Sequence, residues 1–448
     1  MIISSIRQLA SLLGSTTSVD APIAGFAVDS RLLSKNQVFF ALPGAKVDGH
    51  IFLSQASAIG ASAAVVSTDY QGESYGLPLI RCKDPLASLQ ELTKNILNAR
   101  QVKIVAITGS VGKTTTKDFV TTILQERFRV GATPGNSNSQ IGIPLAILNH
   151  TTGHEEVLVI EMGMTHPGNL TSLIQIAPPN IAIITSVGLV HACNFTSLRE
   201  IALAKAEILG HKKTELGIIS REIENFDEMD AIGTCRKLSF SVGSRCANFC
   251  LHTNGSDVDL HVVNEEKTIN LGPFLVPGKH NRQNLLAAIA CARSLGLSWE
   301  EIKAAIPKLS LPERRLEIQQ KRGVTFVNDS YNASALSVKA ALDALPSPQL
   351  GGKRIAVLGE MLELGSFSEM CHRDVAEAAL TSVDCMFCLG KECAPIVERW
   401  QQAQRPVEWF FDRKELTQAL EKHLVPGDVV LLKGSRANNL WKVLEEII

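Results

Sequence analysis

Short apolar runs bounded by polar or glycine positions recur along the chain, at "KIVAIT", "EVLVIEM", "NIAIITSV", "VTFVND", "RIAVLGEM" and "DVVLLKGS". Continuous runs of this kind predict strands covered on both faces. Between them lie stretches with helical spacing, such as "TTTKDFVTTILQERF" and "GKHNRQNLLAAIACA". Strands alternating with helices predict an α/β protein with parallel sheets and covering helices. The opening "MIISSIRQLASLLG" lacks a basic-then-apolar leader pattern and reads as an amphipathic helix.

Length and composition set broad limits. The chain has 448 residues, room for about three domains at ~150 residues each. Composition divides it near residues 100 and 312. The Pro307–Glu317 stretch, "PKLSLPERRLE", reads as a linker into the third block. Formal charge is −1 and 45% of residues are apolar, which gives no pull toward nucleic acid. No apolar run reaches the ~18 residues of a membrane span. Ten scattered cysteines fit a reducing, cytoplasmic setting. Cys385 and Cys388 stand at C-x-x-C spacing inside "VDCMFCLG", a buried-strand pattern. Residues three apart on a strand face opposite sides, so they read as core rather than as a chelate.

The first candidate chemistry is "TGSVGKTTTK". It follows an apolar strand and opens a helix, the setting of a phosphate-binding loop. Gly109, Ser110, Val111, Gly112, Lys113, Thr114 and Thr115 form the candidate nucleotide cradle. The loop is shorter than G-x-x-x-x-G-K-[ST], because Ile107 stands where the first glycine belongs. Lys113 is expected to contact the outer phosphates and the Thr114 hydroxyl to hold Mg²⁺. Glu161 ends a strand of the same expected sheet, where a second metal ligand would sit. His191 follows another strand and Lys205 lies on a helix beyond it. Asn281 and Asn284, at i,i+3, either read an adenine edge or, for Asn281, cap the helix. Asp329 is a candidate for ribose hydroxyls. Lys433, Ser435 and Arg436 form a cationic loop suited to a carboxylate.

Together these motifs resemble the Mur ligases, a family of ATP-dependent amide-forming enzymes of peptidoglycan synthesis. The short loop "TGSVGKTTTK" is similar to the family's own form. The resemblance continues through "VDSR", "DGHIF", "GNSNSQIG", "EMGMTHPGNL", "ALAKAEIL", "GKHNRQN", "NDSYNAS", "LGEMLELG" with His372, and "LLKGSR". It implies three domains: 1–100 for the UDP-linked substrate, 101–312 for ATP and 313–448 for the amine substrate. The central domain would hold a phosphate-loop ATPase-like parallel sheet with helices on both faces. A Rossmann-like α/β domain would follow it, and a smaller α/β domain would precede it. "EMGM", "NDSYNA" and "GEMLELG" point to the member that adds D-alanyl-D-alanine to UDP-N-acetylmuramoyl-tripeptide. A diaminopimelate- or lysine-adding ligase and a phosphate-loop NTPase switch are the alternatives. ATP and Mg²⁺ are the implied cofactors, both substrates are small molecules, and a monomer is expected.

Site roles follow from the same resemblance. Glu161, His191 and Lys205 would join Thr114 at the metal, with Lys205 carbamylated. Arg315 would reach the γ-phosphate. Arg314 stands where the family has glycine, so it competes with Arg315 for that role. Ser30, Arg31, Asp48 and Gly49 would lie near the uridine end, and Asn136 and Asn138 beside the substrate. Tyr331, Asn332, Lys433, Ser435 and Arg436 would lie near the dipeptide.

Overall fold

The computed structural model describes residues 3–44, 47–243, 246–254, 257–262, 267–349 and 351–447. The opening amphipathic pattern forms the helix Ile6–Leu12, which buries Ile6, Leu9 and Ala10. Met1 and Ile2 of that stretch lie outside the described residues.

Three sheets follow one another along the chain. The first contains β1 (Gly25–Ala27), β2 (Gln37–Phe40), β3 (Ala63–Ser67) and β4 (Leu79–Cys82), in sequential order and all parallel. The second contains β5 (Lys103–Thr108), β6 (Val130–Ala132), β7 (Val157–Glu161), β8 (Ile181–Ile184), β9 (Leu216–Ser220), β10 (Arg236–Val242), β11 (Phe249–Asn254), β12 (Asp257–Val262) and β13 (Lys267–Pro273). Its order is β13-β12-β11-β10-β9-β8-β5-β7-β6. From β6 to β11 every pairing is parallel; β12 and β13 extend the sheet antiparallel. The third contains β14 (Glu317–Lys321), β15 (Val324–Asn328), β16 (Arg354–Gly359), β17 (Cys385–Leu389), β18 (Val407–Phe410) and β19 (Val429–Lys433). Its order is β14-β15-β19-β16-β17-β18, parallel except for the β14–β15 pair.

Alternation along the central strands builds two cores. Val105 and Ile107, with Val157, Val159, Ile181 and Ile183, pack under the helices Lys113–Leu124 and Lys279–Ser294. Ile104 and Ala106, with Leu158, Ile160, Ala182 and Ile184, pack under the helices Asn169–Ile176 and Leu198–Ala206. Helices therefore cover both faces, which explains why these strands are apolar at consecutive positions. The third sheet repeats the device. Phe326, Val357 and Phe387 face one core, and Val327, Ala356, Leu358, Met386 and Cys388 face the other. Cys388 is thus a core residue.

Asn149 docks the first sheet on the central domain. Its carboxamide accepts from the Phe26 N–H at 2.8 Å and donates to the Phe26 carbonyl at 2.9 Å. One side chain thereby completes the backbone bonding of β1, much as a neighbouring strand would.

Candidate active site

A cleft of about 820 Å³ opens where the C-terminal strand ends of the second and third sheets meet. Parallel sheets gather polar residues at that edge. The loop after β5 forms one wall. Gly112 has φ 88° and stands where a Cβ would lie 2.4 Å from Asn284 Oδ1, so only glycine fits. A Cβ on Gly109 would meet Thr185 Oγ1 at 2.0 Å. The segment after β8 braces the loop: Ser186 Oγ accepts from the Val111 N–H at 2.9 Å. Ser110 Oγ donates to the Gly188 carbonyl at 2.8 Å. The helix begins at Lys113 with no side-chain cap, leaving its first N–H groups for an anion.

Lys113 folds back on the loop, donating to the Gly109 carbonyl at 2.8 Å. Burial pushes its ammonium below the usual lysine range; Glu161 opposes that shift and Arg315 adds to it. Glu161, at the end of β7, is 2% exposed. One of its oxygens accepts from Thr114 Oγ1 at 2.8 Å and the other from Asn138 Nδ2 at 2.7 Å. Arg315 Nη2 donates to the same Thr114 hydroxyl at 3.1 Å and its guanidinium lies 4.4 Å from the centre of the Tyr331 ring. Arg314 turns away, over the Trp441 ring at 4.3 Å. Of the two candidate arginines, Arg315 is the one on the loop.

Lys205 lines the cleft and is 4% exposed. Its ammonium has no hydrogen-bond acceptor or counterion among the described residues. Burial holds it well below the usual lysine range, with Lys113 adding to the shift. His191 lines the cleft too, and its Nδ1 pairs with Glu363 of the third domain. Burial lowers this imidazole, and Glu363 opposes the shift. The backbone N–H of Cys193 donates to the Glu363 carbonyl at 3.0 Å. The segment after β8 is thereby joined to the "GEMLELG" segment.

Several of the expected residues line the cleft while bonded to one another or to the backbone. Lys433 is 2% exposed and its ammonium lies 2.5 Å from Asp329 Oδ2. One cation and one anion, expected at opposite substrates, form a single buried pair, and Lys433 also donates to the Asn332 carbonyl at 3.1 Å. Asn284 stands behind the loop, accepting from Thr116 at 3.2 Å and donating to Asn281 at 3.1 Å. The Asn281 capping reading is incorrect. Gly278 occupies the N-cap, and Asn281 donates to the Pro277 carbonyl at 2.7 Å. Ser435 accepts from the Leu362 N–H at 2.9 Å. Asn136, Asn138, Tyr331, Asn332 and Arg436 all line the cleft.

The four first-domain candidates do not line the cleft. Ser30 donates to Gln55 at 2.8 Å. Arg31 lies exposed on Asp29. Asp48 caps the turn Gly49–Phe52, accepting from the His50 N–H at 3.0 Å. Local partners hold these groups on their own domain, and Leu86 is the first domain's contribution to the cleft wall. Sequence reasoning missed Ser186, Glu363 and His280. His280 sits inside the "GKHNRQN" motif, and its position one residue before Asn281 was the available signal.

A phosphate loop on a parallel sheet, facing a second α/β domain across a polar cleft, is the arrangement of an enzyme that uses a nucleoside triphosphate. Comparison with known proteins specifies the class. Residues 22–98 match the family model "Mur ligase family, catalytic domain". Residues 107–292 match "Mur ligase middle domain", and residues 314–436 match "Mur ligase, glutamate ligase domain". The chain belongs to the Mur ligase family. It is 32% identical to UDP-N-acetylmuramoyl-tripeptide–D-alanyl-D-alanine ligase of Bacillus subtilis, over 95% of this chain and 93% of the relative. The Escherichia coli protein of the same name is 31% identical over 100% of this chain and 99% of its own. Among solved structures, MurF from Acinetobacter baumannii aligns with TM-score 0.87 and 25% identity, covering 99% of this chain and 98% of that one. MurF ligase from Thermotoga maritima, in complex with ADP, aligns with TM-score 0.79 and 27% identity, covering 94% and 96%.

Proposed function

We propose that this enzyme joins D-alanyl-D-alanine to UDP-N-acetylmuramoyl-tripeptide at the expense of ATP. The observation that carries the reading is end-to-end similarity to ligases of that name, combined with a loop–carboxylate–arginine cluster suited to phosphoryl transfer. The chemistry requires activation, because a carboxylate oxygen is a poor leaving group. The γ-phosphoryl group passes from ATP to the tripeptide's terminal carboxylate, releasing ADP and leaving an acyl phosphate. The dipeptide amine then attacks the carbonyl carbon, the C–O bond to phosphate breaks, and a proton leaves the nitrogen.

Each residue has a part in this scheme. The N–H groups at the start of the Lys113–Leu124 helix hold the phosphates. Lys113 swings from the Gly109 carbonyl to the β/γ-phosphates, and Arg315 neutralises charge on the transferred group. The oxygen set of Thr114 and Glu161 fits Mg²⁺, because the buried Glu161 carboxylate is held by a hydroxyl and an amide rather than by a cation. Lys205, once carbamylated, would add a further oxygen, and His191 a nitrogen. Mg²⁺ bound there offsets charge on the phosphate oxygens. Asn136 and Asn138 orient the tripeptide, and residues 1–100 carry the uridine end. Closure of residues 313–448 on residues 101–312 shields the acyl phosphate from water.

The test is direct. Purified protein with ATP, Mg²⁺, UDP-N-acetylmuramoyl-tripeptide and D-alanyl-D-alanine is expected to yield the pentapeptide mass, with ADP release dependent on both substrates. ADP release that needs neither one would point instead to a nucleotide switch. Product formed with diaminopimelate and a dipeptide-linked nucleotide would reassign the step.

A further inference from the structure

Across the cleft, the second and third domains meet at two residues in strained backbone conformations. His191, after β8, and Glu363, after β16, are both left-handed, with φ 54° and 63°. Such conformations are uncommon outside glycine and persist only where the surroundings hold them. The Glu363 segment is held from three directions. The Met361 N–H donates to His372 Nε2 at 3.1 Å and the Leu362 N–H to Ser435 Oγ at 2.9 Å. The Glu363 carbonyl accepts from the Cys193 N–H at 3.0 Å. His372 is itself buried and fixed, its Nδ1 donating to the Ser368 carbonyl at 2.8 Å. Met361 and Leu364 on one side and Ala192 on the other are buried in the same core. A Cβ on Gly365 would lie 2.9 Å from Cys193 Cα, so the two segments approach more closely than any side chain there would allow.

What this framework places is the Glu363 carboxylate on His191 Nδ1. The Glu363 side chain is 61% exposed, and an exposed pair contributes little to stability by itself. The strained backbones and the fixed segment are therefore matched to orientation rather than to strength. An ionised carboxylate only accepts hydrogen bonds, so Nδ1 is the nitrogen that carries the hydrogen. Nε2 then keeps the lone pair, and it has no hydrogen-bond partner among the described residues. Glu161, Lys113 and Lys205 line the same cleft as this ring.

We propose that Glu363 is a positioning residue, which fixes the tautomer and orientation of His191 so that Nε2 is free to bind the divalent cation. The proposal rests on the metal site assigned under the ligase reading above. An imidazole ligand is oriented by an acceptor on its second nitrogen, and a carboxylate in that place also strengthens the ring as a donor. Glu363 belongs to the third domain and His191 to the second. The imidazole is therefore set only when the two domains are together, and the phosphate loop can hold nucleotide before that happens. Completion of the cation site is in this way tied to closure.

The experiment compares wild type with Glu363→Ala and Glu363→Gln. Both variants keep the Cβ and the backbone carbonyl that meets the Cys193 N–H, so the contact between the domains remains while the carboxylate is lost. The first readout is ¹⁵N NMR of the metal-free, histidine-labelled protein at about pH 8, where ordinary histidines are neutral. The His191 signals are assigned by their loss in His191→Gln. Wild type is expected to show His191 as the Nδ1–H tautomer. Glu363→Gln is expected to retain it, because the amide oxygen accepts the same bond, and Glu363→Ala to give a mixture of tautomers. The second readout is Mn²⁺ affinity at saturating ADP, from the EPR signal of free Mn²⁺. The dissociation constant is expected to rise about tenfold or more in Glu363→Ala, and less in Glu363→Gln. Affinity for ADP without metal is expected to stay the same, since Glu363 is not on the phosphate loop. A residue that merely tethers the domains moves neither readout. An unchanged tautomer or an unchanged Mn²⁺ affinity in Glu363→Ala overturns the positioning role. If wild type with ADP binds no more Mn²⁺ than ADP alone, the metal reading itself fails and the positioning role falls with it.

Discussion

Lys205 is a buried cation with no partner among the described residues, and that isolation sets its chemistry. Burial holds its pKa well below the usual value, which favours the neutral amine, and only the neutral amine reacts with CO₂. A carbamate there would replace an isolated positive charge with an oxygen ligand near Lys113, in the cleft that Glu161 also lines. Lys205→Ala is therefore expected to lose most ligation, and formate or acetate to restore part of it by filling the vacated oxygen position. Loss without rescue would leave Lys205 as an ordinary phosphate-side cation. Lys113 has a simpler role. Its ammonium is parked on the Gly109 carbonyl, a contact it must exchange for phosphate. Lys113→Ala is expected to keep the fold and lower kcat at least about a hundredfold, the usual cost of removing a transition-state charge clamp. Retention of half the wild-type kcat would remove Lys113 from the mechanism.

The phosphate loop works as an element because two glycines let it pack tightly against its neighbours. Gly112→Ala would force a Cβ against Asn284, whose carboxamide is fixed by Thr116 and Asn281. It would also place alanine in a left-handed conformation, costing about 1–2 kcal/mol before the clash is counted. Nucleotide affinity in this variant is expected to fall more than about tenfold, read by calorimetric titration with ADP; unchanged affinity would mean the loop repacks freely. These elements were also the most legible in the sequence. The run "KIVAIT" became β5, and the helix expected after the loop runs from Lys113 to Leu124. Strands buried on both faces leave an unambiguous apolar run, and their C-terminal ends converge, so Lys113, Glu161, His191 and Lys205 all reached one cleft. The antiparallel extension β12–β13 was not foreseen, because its strands mix polar and apolar residues. His191–Glu363 and Lys433–Asp329 were illegible for another reason. Each joins residues more than a hundred positions apart, which only tertiary packing brings together. The first-domain candidates show the converse, since Ser30 and Arg31 found partners within their own domain.

At the scale of the whole molecule, the cleft between the second and third domains disfavours the charged form of a histidine. His280 opens the Lys279–Ser294 helix of the second domain, and the charges acting on it include Asp329 and Lys433 of the third. Burial pushes its pKa from 6.5 down to about 4, and the attraction of Asp329 only partly offsets this. The sign of the consequence follows from linkage. Between these two values the unfolded chain binds a proton that the folded chain excludes, so stability rises with pH. The contribution is complete above the unfolded value of 6.5 and is lost progressively as pH falls toward about 4. The slope from this one group approaches about 1.4 kcal/mol per pH unit in the middle of that range. Other groups titrate there as well, so the diagnostic quantity is a difference. His280→Gln keeps a polar group of similar size and removes the titration. Its thermal midpoint is expected to fall less than that of wild type between pH 7 and about pH 4.5, the two curves converging in acid. Curves that stay parallel across the range would mean that His280 protonates in place at no cost.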